Sequence, residues 1–316
     1  MKKKFLIVFL PLYLTIIFML VFPFNNWQIT LPGNVTDVSK NVSYEKSLED
    51  SFFTTYVINY DKPTLLQLIL TKLDKKTTLS KNVLIDYYYD SFLDEELSYQ
   101  YALINAYLKA KEHNDEVSLS HQLKGYSVVL TKNKTMLKDL IIAFDGIPFT
   151  NFSTNRELSD YLKEKETVKL NAIRNNEEIE YQIFKQAGYF NLTLKPYFEI
   201  ESFNPVLNFS YQDDKIGGPS GGLIQSLYLY YLITEKELTI KVGGTGTISF
   251  NGEVGAIGGI KEKIFTANNK VELFFCPKEN YQAALEAYQM LKKPSYQLKM
   301  VESFSEALDF LKAYEK

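Results

Sequence analysis

The chain has 316 residues, a formal net charge of −3, two histidines and one cysteine. That length allows two small domains with their own cores, the charge gives no electrostatic reason to expect a nucleic-acid partner, and a single cysteine excludes an intramolecular disulfide. His113 and His121 lie eight apart among charged and polar residues, with no cysteine or carboxylate cluster at metal-ligand spacing, so no metal site and no cofactor are expected.

Taken in chain order, Met1-Lys2-Lys3-Lys4 precedes an uncharged stretch from Phe5 to Phe24. About 20 helical residues span roughly 30 Å of hydrocarbon, and the excess of lysine before the stretch over the residues after it predicts a cytoplasmic N-terminus. Residues 1–24 are therefore expected to be a cytoplasmic stub and transmembrane anchor, making the protein single-pass in the cell membrane with its C-terminal domains extracellular. No small-residue cleavage site is visible in Val21–Trp27, which favours an anchor over a cleaved signal peptide. Residues 25–50 are polar and read as a tether with one short strand. Ser43 and Lys46 have a serine-x-x-lysine spacing, but the motifs that accompany it in penicillin-binding proteins are absent and chance explains it. Phe52–Tyr60 is rich in β-formers and predicts a strand, and Thr64–Leu73 and Ser91–Glu112 predict helices, the second with Leu97, Tyr101, Ile104 and Leu108 as a core stripe. This strand-plus-helical segment occupies 51–120.

A second domain is expected over 121–187. Gly125–Leu130 and Leu140–Phe144 predict strands, Asp145-Gly146 a turn, Ser153–Leu158 a capped helix start, and Thr167–Arg174 and Ile179–Ile183 two strands joined at Asn175-Asn176. This order resembles a bacterial PDZ domain, most clearly at Leu137–Gly146. The resemblance implies peptide binding by strand addition at a sheet edge, and it puts Gly125 and Tyr126 in the loop that captures a terminal carboxylate.

The last unit, 188–316, contains the motif with the most chemistry. Gly217-Gly218-Pro219-Ser220-Gly221-Gly222 leads into an apolar run, Leu223–Ile233, whose length favours a buried helix beginning near Pro219. Ser220 then sits where free N–H groups and the positive dipole end stabilise developing negative charge. Downstream, Gly258-Gly259-Ile260-Lys261-Glu262-Lys263 reads as a turn entering a helix. At 100° per residue Lys263 lies about 60° from Ile260, on the apolar stripe, whereas Lys261 at about 100° faces elsewhere. An ordinary lysine, with pKa about 10.4, is a poor base at neutral pH, but burial that lowers it to about 7 requires only roughly 4.6 kcal/mol of desolvation. A serine nucleophile and a lysine base need no histidine. Gly243-Gly244-Thr245-Gly246 lacks a P-loop lysine, so no nucleotide partner is expected. Cys276, in Leu273-Phe274-Phe275-Cys276, reads as a small buried side chain.

These residues resemble the proteolytic domain of Lon proteases, which has a serine in Gly-Pro-Ser and a lysine at the end of Gly-Gly-x-Lys-Glu-Lys. The 43-residue interval from Ser220 to Lys263 matches without a gap, and the similarity runs from about Leu192 to the end. The resemblance implies Ser220 and Lys263 as a catalytic dyad, Thr245 as a hydrogen-bond partner of the lysine, and Gly218, Pro219 and Gly221 as supporting residues. It also implies peptide or protein substrates, and leaves homo-oligomerisation open, since Lon domains often form rings. Two positions depart from the ATP-dependent enzymes. Gly217 replaces an aspartate, as in membrane-anchored, PDZ-containing Lon-like proteases of Gram-positive bacteria, and Gly221 replaces the usual alanine.

The expected fold class is α+β: an N-terminal transmembrane helix, a PDZ-like β-rich domain and a Lon-type proteolytic α+β domain. The expected function is an ATP-independent, membrane-anchored serine endopeptidase that cleaves exported peptides outside the cytoplasm, peptide pheromones being one class implied by the resemblance. The alternative is a non-enzymatic surface adaptor that binds peptides through the PDZ-like domain.

Overall fold

The computed structural model describes residues 2–43, 48–81, 86–152, 154–209 and 217–314. Lys46, Ser153 and the residues Asp214, Lys215 and Ile216 ahead of the glycine pair lie outside them. The protein is α+β, and two sheets account for its organisation.

The first sheet has six strands drawn from both ends of the chain. In chain order these are β1 (Trp27–Asp37), β2 (Phe52–Asp61), β3 (Thr78–Lys81), then, far downstream, a short strand at Val242–Gly244, one at Leu273–Pro277 and one at Gln297–Val301. The Val242–Gly244 strand lies parallel to β2 on one side and to Leu273–Pro277 on the other, while β1 pairs antiparallel with both β2 and β3. Residues 25–50 are thus corrected from a tether to a contributor of an eleven-residue strand inside the sheet. Pro32 and Gly33 fall inside this strand. The ladder absorbs them as an irregularity between Pro32 and Val35, so the strand continues past them.

The second sheet belongs to an insert. It contains β4 (Tyr88–Tyr89), β5 (Ser118–Thr131), β6 (Leu140–Phe144), β7 (Thr167–Arg174), β8 (Glu177–Phe184) and β9 (Leu192–Asn204), with the central order β8-β7-β6-β5-β9. Asp145 and Gly146, then Asn175 and Asn176, all have positive φ at the two hairpin tips, as short Asp-Gly and Asn-rich turns require. The helix Asn155–Lys163 closes the insert, capped by Thr154 Oγ1, which accepts from the Glu157 N–H at 3.1 Å. Its core gathers Tyr126, Val128, Ile141, Phe144, Leu158 and Leu170.

Between the sheets runs the helix Ser91–Lys111, capped by Asp90. Leu97, Tyr101 and Ile104 are buried as the stripe requires; Leu108 is exposed. This helix packs against the downstream helix Gly222–Ile233, every residue of which is buried, and one core joins both to Phe52, Val242, Phe275 and the last helix, Phe304–Tyr314. The segment 51–120 therefore shares one core with the C-terminal elements, and the insert lies between them in the chain.

The expected membrane anchor is also corrected, and with it the extracellular placement of the later domains. The N-terminal helix runs from Lys2 to Val21 with Pro11 inside, and among the described residues no helix is long and apolar enough to cross a membrane. The uncharged part ends early because Pro23 forms a bridge with Thr64 and the Phe24 N–H bonds Pro63 O at 2.9 Å. What remains from Phe5 to Val21 rises roughly 26 Å at 1.5 Å per residue, short of the roughly 30 Å of hydrocarbon.

Phe52 tests the shared core. It is fully buried, with ring centroids 6.1 Å from Tyr228 and 5.3 Å from Tyr231. Phe52→Ala is expected to cost about 3–5 kcal/mol of stability, measured by urea unfolding, and to lower the melting of the Ser220 region together with the rest. A neutral effect would separate this strand from the downstream core.

Candidate active site

Ser220 stands at the start of a helix because its neighbours permit nothing else. Gly218 has φ of 106° and ψ of 153°, a conformation that a side chain at that position opposes, and Pro219 begins a short 3₁₀ turn that runs straight into Gly222–Ile233. The turn is pinned from outside. The Gly218 N–H donates to Ser91 O at 2.8 Å and Ser98 Oγ donates to Pro219 O at 3.2 Å, both from the helix that precedes the insert. The Ser220 carbonyl accepts from the Gly246 N–H at 2.8 Å and from Thr245 Oγ1 at 3.0 Å.

Lys263 reaches this turn from the opposite side. It lies on the helix Ile260–Ala267, on the stripe with Ile260 and Ile264, and is 2% exposed. Its Nζ donates to Ser220 Oγ at 2.7 Å and to Thr245 Oγ1 at 2.9 Å. Burial alone lowers its pKa from the ordinary lysine value to about 7. Lys261, one step round the helix, turns away and donates to Thr77 O at 2.8 Å. Asn280 fixes the entry to the helix, accepting from the Ile257 N–H at 2.8 Å and donating to Ile257 O at 3.0 Å.

The structure thus brings Ser220, Thr245 and Lys263 together, with Gly218, Pro219 and Gly221 in the supporting turn. Ser220 and Lys263 border a cleft of about 1180 Å³, floored by Thr54–Asn59 of β2 and Thr30 of β1 and walled by the Lys263 helix, and Thr245 is buried behind them. Ser91, Ser98 and Asn280 escaped sequence reading as site residues. Ser91 and Ser98 lie more than a hundred residues from the motif they hold.

Gly125 and Tyr126 are corrected. They do not form a loop: both lie within β5, where Tyr197 pairs with Gly125 and Pro196 with Tyr126 along one edge and Ile141 pairs with Tyr126 on the other. β5 is an interior strand, flanked by β6 and β9 of the same chain. Tyr126 instead donates from its hydroxyl to Asn155 Oδ1 at 3.1 Å. Cys276 is buried as expected, and burial pushes its thiol up to about 12.

A buried amine against a serine hydroxyl, at the head of a buried helix and open to a cleft, defines a candidate serine hydrolase centre. Residues 215–312 match the Lon protease (S16) C-terminal proteolytic domain, which supports a serine peptidase. The chain is similar to the Lon protease of Campylobacter jejuni, 29% identical over 94 residues (29% of this chain, 12% of that protein). It is 41% identical to the Lon protease of Aster yellows witches'-broom phytoplasma over 64 residues, 20% of this chain and 8% of that one. With the Lon protease of Metamycoplasma arthritidis it shares 23% identity over 208 residues, 65% of this chain and 23% of the relative. The chain therefore spans less than a quarter of the length of each of these relatives.

Thr245 ties the two halves of the site together, since one hydroxyl donates to Ser220 O and accepts from Lys263. Thr245→Val keeps the shape and removes both bonds. Urea unfolding should show a loss of about 1–3 kcal/mol, as expected when buried partners are left unsatisfied, and an unchanged midpoint would show the bonds to be incidental.

Proposed function

We propose that the protein is a serine endopeptidase in which Ser220 is the nucleophile and Lys263 the general base and acid. The observation that carries this reading is the 2.7 Å approach of a buried Lys263 Nζ, with pKa about 7, to Ser220 Oγ. As the neutral amine, Lys263 takes the hydroxyl proton while Ser220 Oγ bonds to the peptide carbonyl carbon. The resulting oxyanion is stabilised by the Ser220 N–H and a neighbouring amide at the helix start. The ammonium then returns its proton to the leaving amine, the C–N bond breaks, and an acyl-enzyme remains. Water, deprotonated by the same amine, releases the acid and restores the serine. Thr245 orients the amine throughout.

No step in this sequence needs a nucleotide. The proposed substrates are accordingly peptides, loops or flexible tails that enter the cleft without being unfolded by this chain. Ser220→Ala and Lys263→Ala are each expected to abolish cleavage of a peptide library that the full chain processes; equal cleavage by all three proteins would end the proposal.

Two pH effects follow from the buried amine. Activity requires its neutral form, so kcat/KM should rise as pH passes through about 7, and a profile flat between pH 5 and 9 would contradict the assignment. Stability has the same sign. The unfolded chain keeps this proton up to about pH 10.4, whereas the folded protein releases it near 7, so the unfolded state binds more protons in between and stability rises with pH across that window. Lys263→Met should therefore be more stable than the natural chain at pH 7, by roughly 2–4 kcal/mol, with the gap narrowing towards pH 10. Urea unfolding at both pH values measures it.

A further inference from the structure

Gln225 lies one helical turn beyond Gly221, and side chains on a helix lean back towards its N-terminus, so its carboxamide lies over the turn that carries Ser220. It is 5% exposed and borders the same cleft as Ser220 and Lys263. Its Oε1 is buried with no hydrogen-bond partner among the described residues. An unpaired amide oxygen costs about 1–3 kcal/mol, so folding gives no reason for a glutamine there.

Gly221 supplies a second observation. A Cβ at that position would lie 3.0 Å from Thr54 Cγ2 and 3.2 Å from Gln225 Nε2. The alanine usual after such a serine would therefore press on the carboxamide, and the glycine leaves it room beside the nucleophile's turn. Glycine after the serine and glutamine one turn on are mutually fitted.

We propose that Gln225 is a substrate-contacting residue whose carboxamide pairs with the main chain of an extended peptide in the cleft, Oε1 accepting a substrate N–H and Nε2 donating to a substrate carbonyl. This rests on the reading of Ser220 and Lys263 as a peptidase dyad and deepens it. A carboxamide presents one acceptor and a donor pair in a plane, the complement of a peptide unit. The ligand class is polypeptide backbone in extended form, so this contact selects conformation and not a particular side chain.

The test compares the full chain with Gln225→Met, which keeps the length and removes both polar groups. On a peptide that the natural chain cleaves, kcat/KM should fall about 10- to 50-fold, the loss of two uncharged hydrogen bonds. Labelling of Ser220 by a small fluorophosphonate, which has no peptide unit, should stay within about twofold of the natural rate. The melting temperature should hold or rise, because an unpartnered polar group has been replaced by an apolar one. Unchanged kcat/KM in Gln225→Met with normal labelling overturns this proposal and spares the dyad. Labelling that falls in step with cleavage, or a variant that does not fold, assigns Gln225 to the architecture of the turn and overturns it too. Failure of the natural chain itself to be labelled or to cleave removes the dyad reading on which it rests.

Discussion

The removal of water from one amine is the constraint on which the site depends. Lys263 carries four methylenes and an amino group into a region with 2% exposure, and the two hydroxyls it meets there can accept hydrogen bonds but cannot offset a full positive charge. The neutral form is thereby favoured, and basicity near neutrality is a consequence of packing. The same packing destabilises the fold, since an apolar side chain of equal length incurs no such penalty. Such a position costs stability, which is why its chemistry matters more to the proposed activity than to the fold.

That arrangement is held by elements widely separated in the chain. Ser91 and Ser98 hold the turn before the nucleophile, Thr245 and Gly246 hold the serine carbonyl, and Asn280 holds the approach to the lysine helix. The insert begins directly after the helix that supplies the two serines. Lys195 of β9 pairs with Asp94 on that helix, and the Tyr89 hydroxyl donates to Asp94 Oδ2 at 2.9 Å beside the cleft. The insert's sheet is thus joined to the helix that steadies the Ser220 turn.

Local chemistry was legible in the sequence wherever a short-range rule governs it. Helical phase separated Lys263 from Lys261, Pro219 marked the helix start, and Asp145-Gly146 and Asn175-Asn176 marked the hairpin tips. Long-range pairing was not legible. The polar residues of 25–50 suggest a tether, although β1 lies between β2 and β3 with part of its polar face on the cleft. Nothing in residues 25–61 announces partners near 242. The expected anchor failed for a related reason: counting apolar residues to Phe24 overlooks the contacts of Pro23 and Phe24 with the Pro63-Thr64 corner, which end the helix at Val21. Gly125 and Tyr126 were expected in a loop, but they lie inside a strand paired on both sides, through partners distant in the chain.

The pairing of β2 with the Val242–Gly244 strand has a temporal consequence during synthesis. Thr55 Oγ1 reaches Gly244 O across 189 positions at 3.3 Å, so the floor beneath the dyad joins a segment made early to one made late. Such distant partners close slowly. A chain still emerging from the ribosome lacks Lys263 until most of its length is complete, and by then its first strands have waited for their neighbours. The centre can assemble only after both segments have been made.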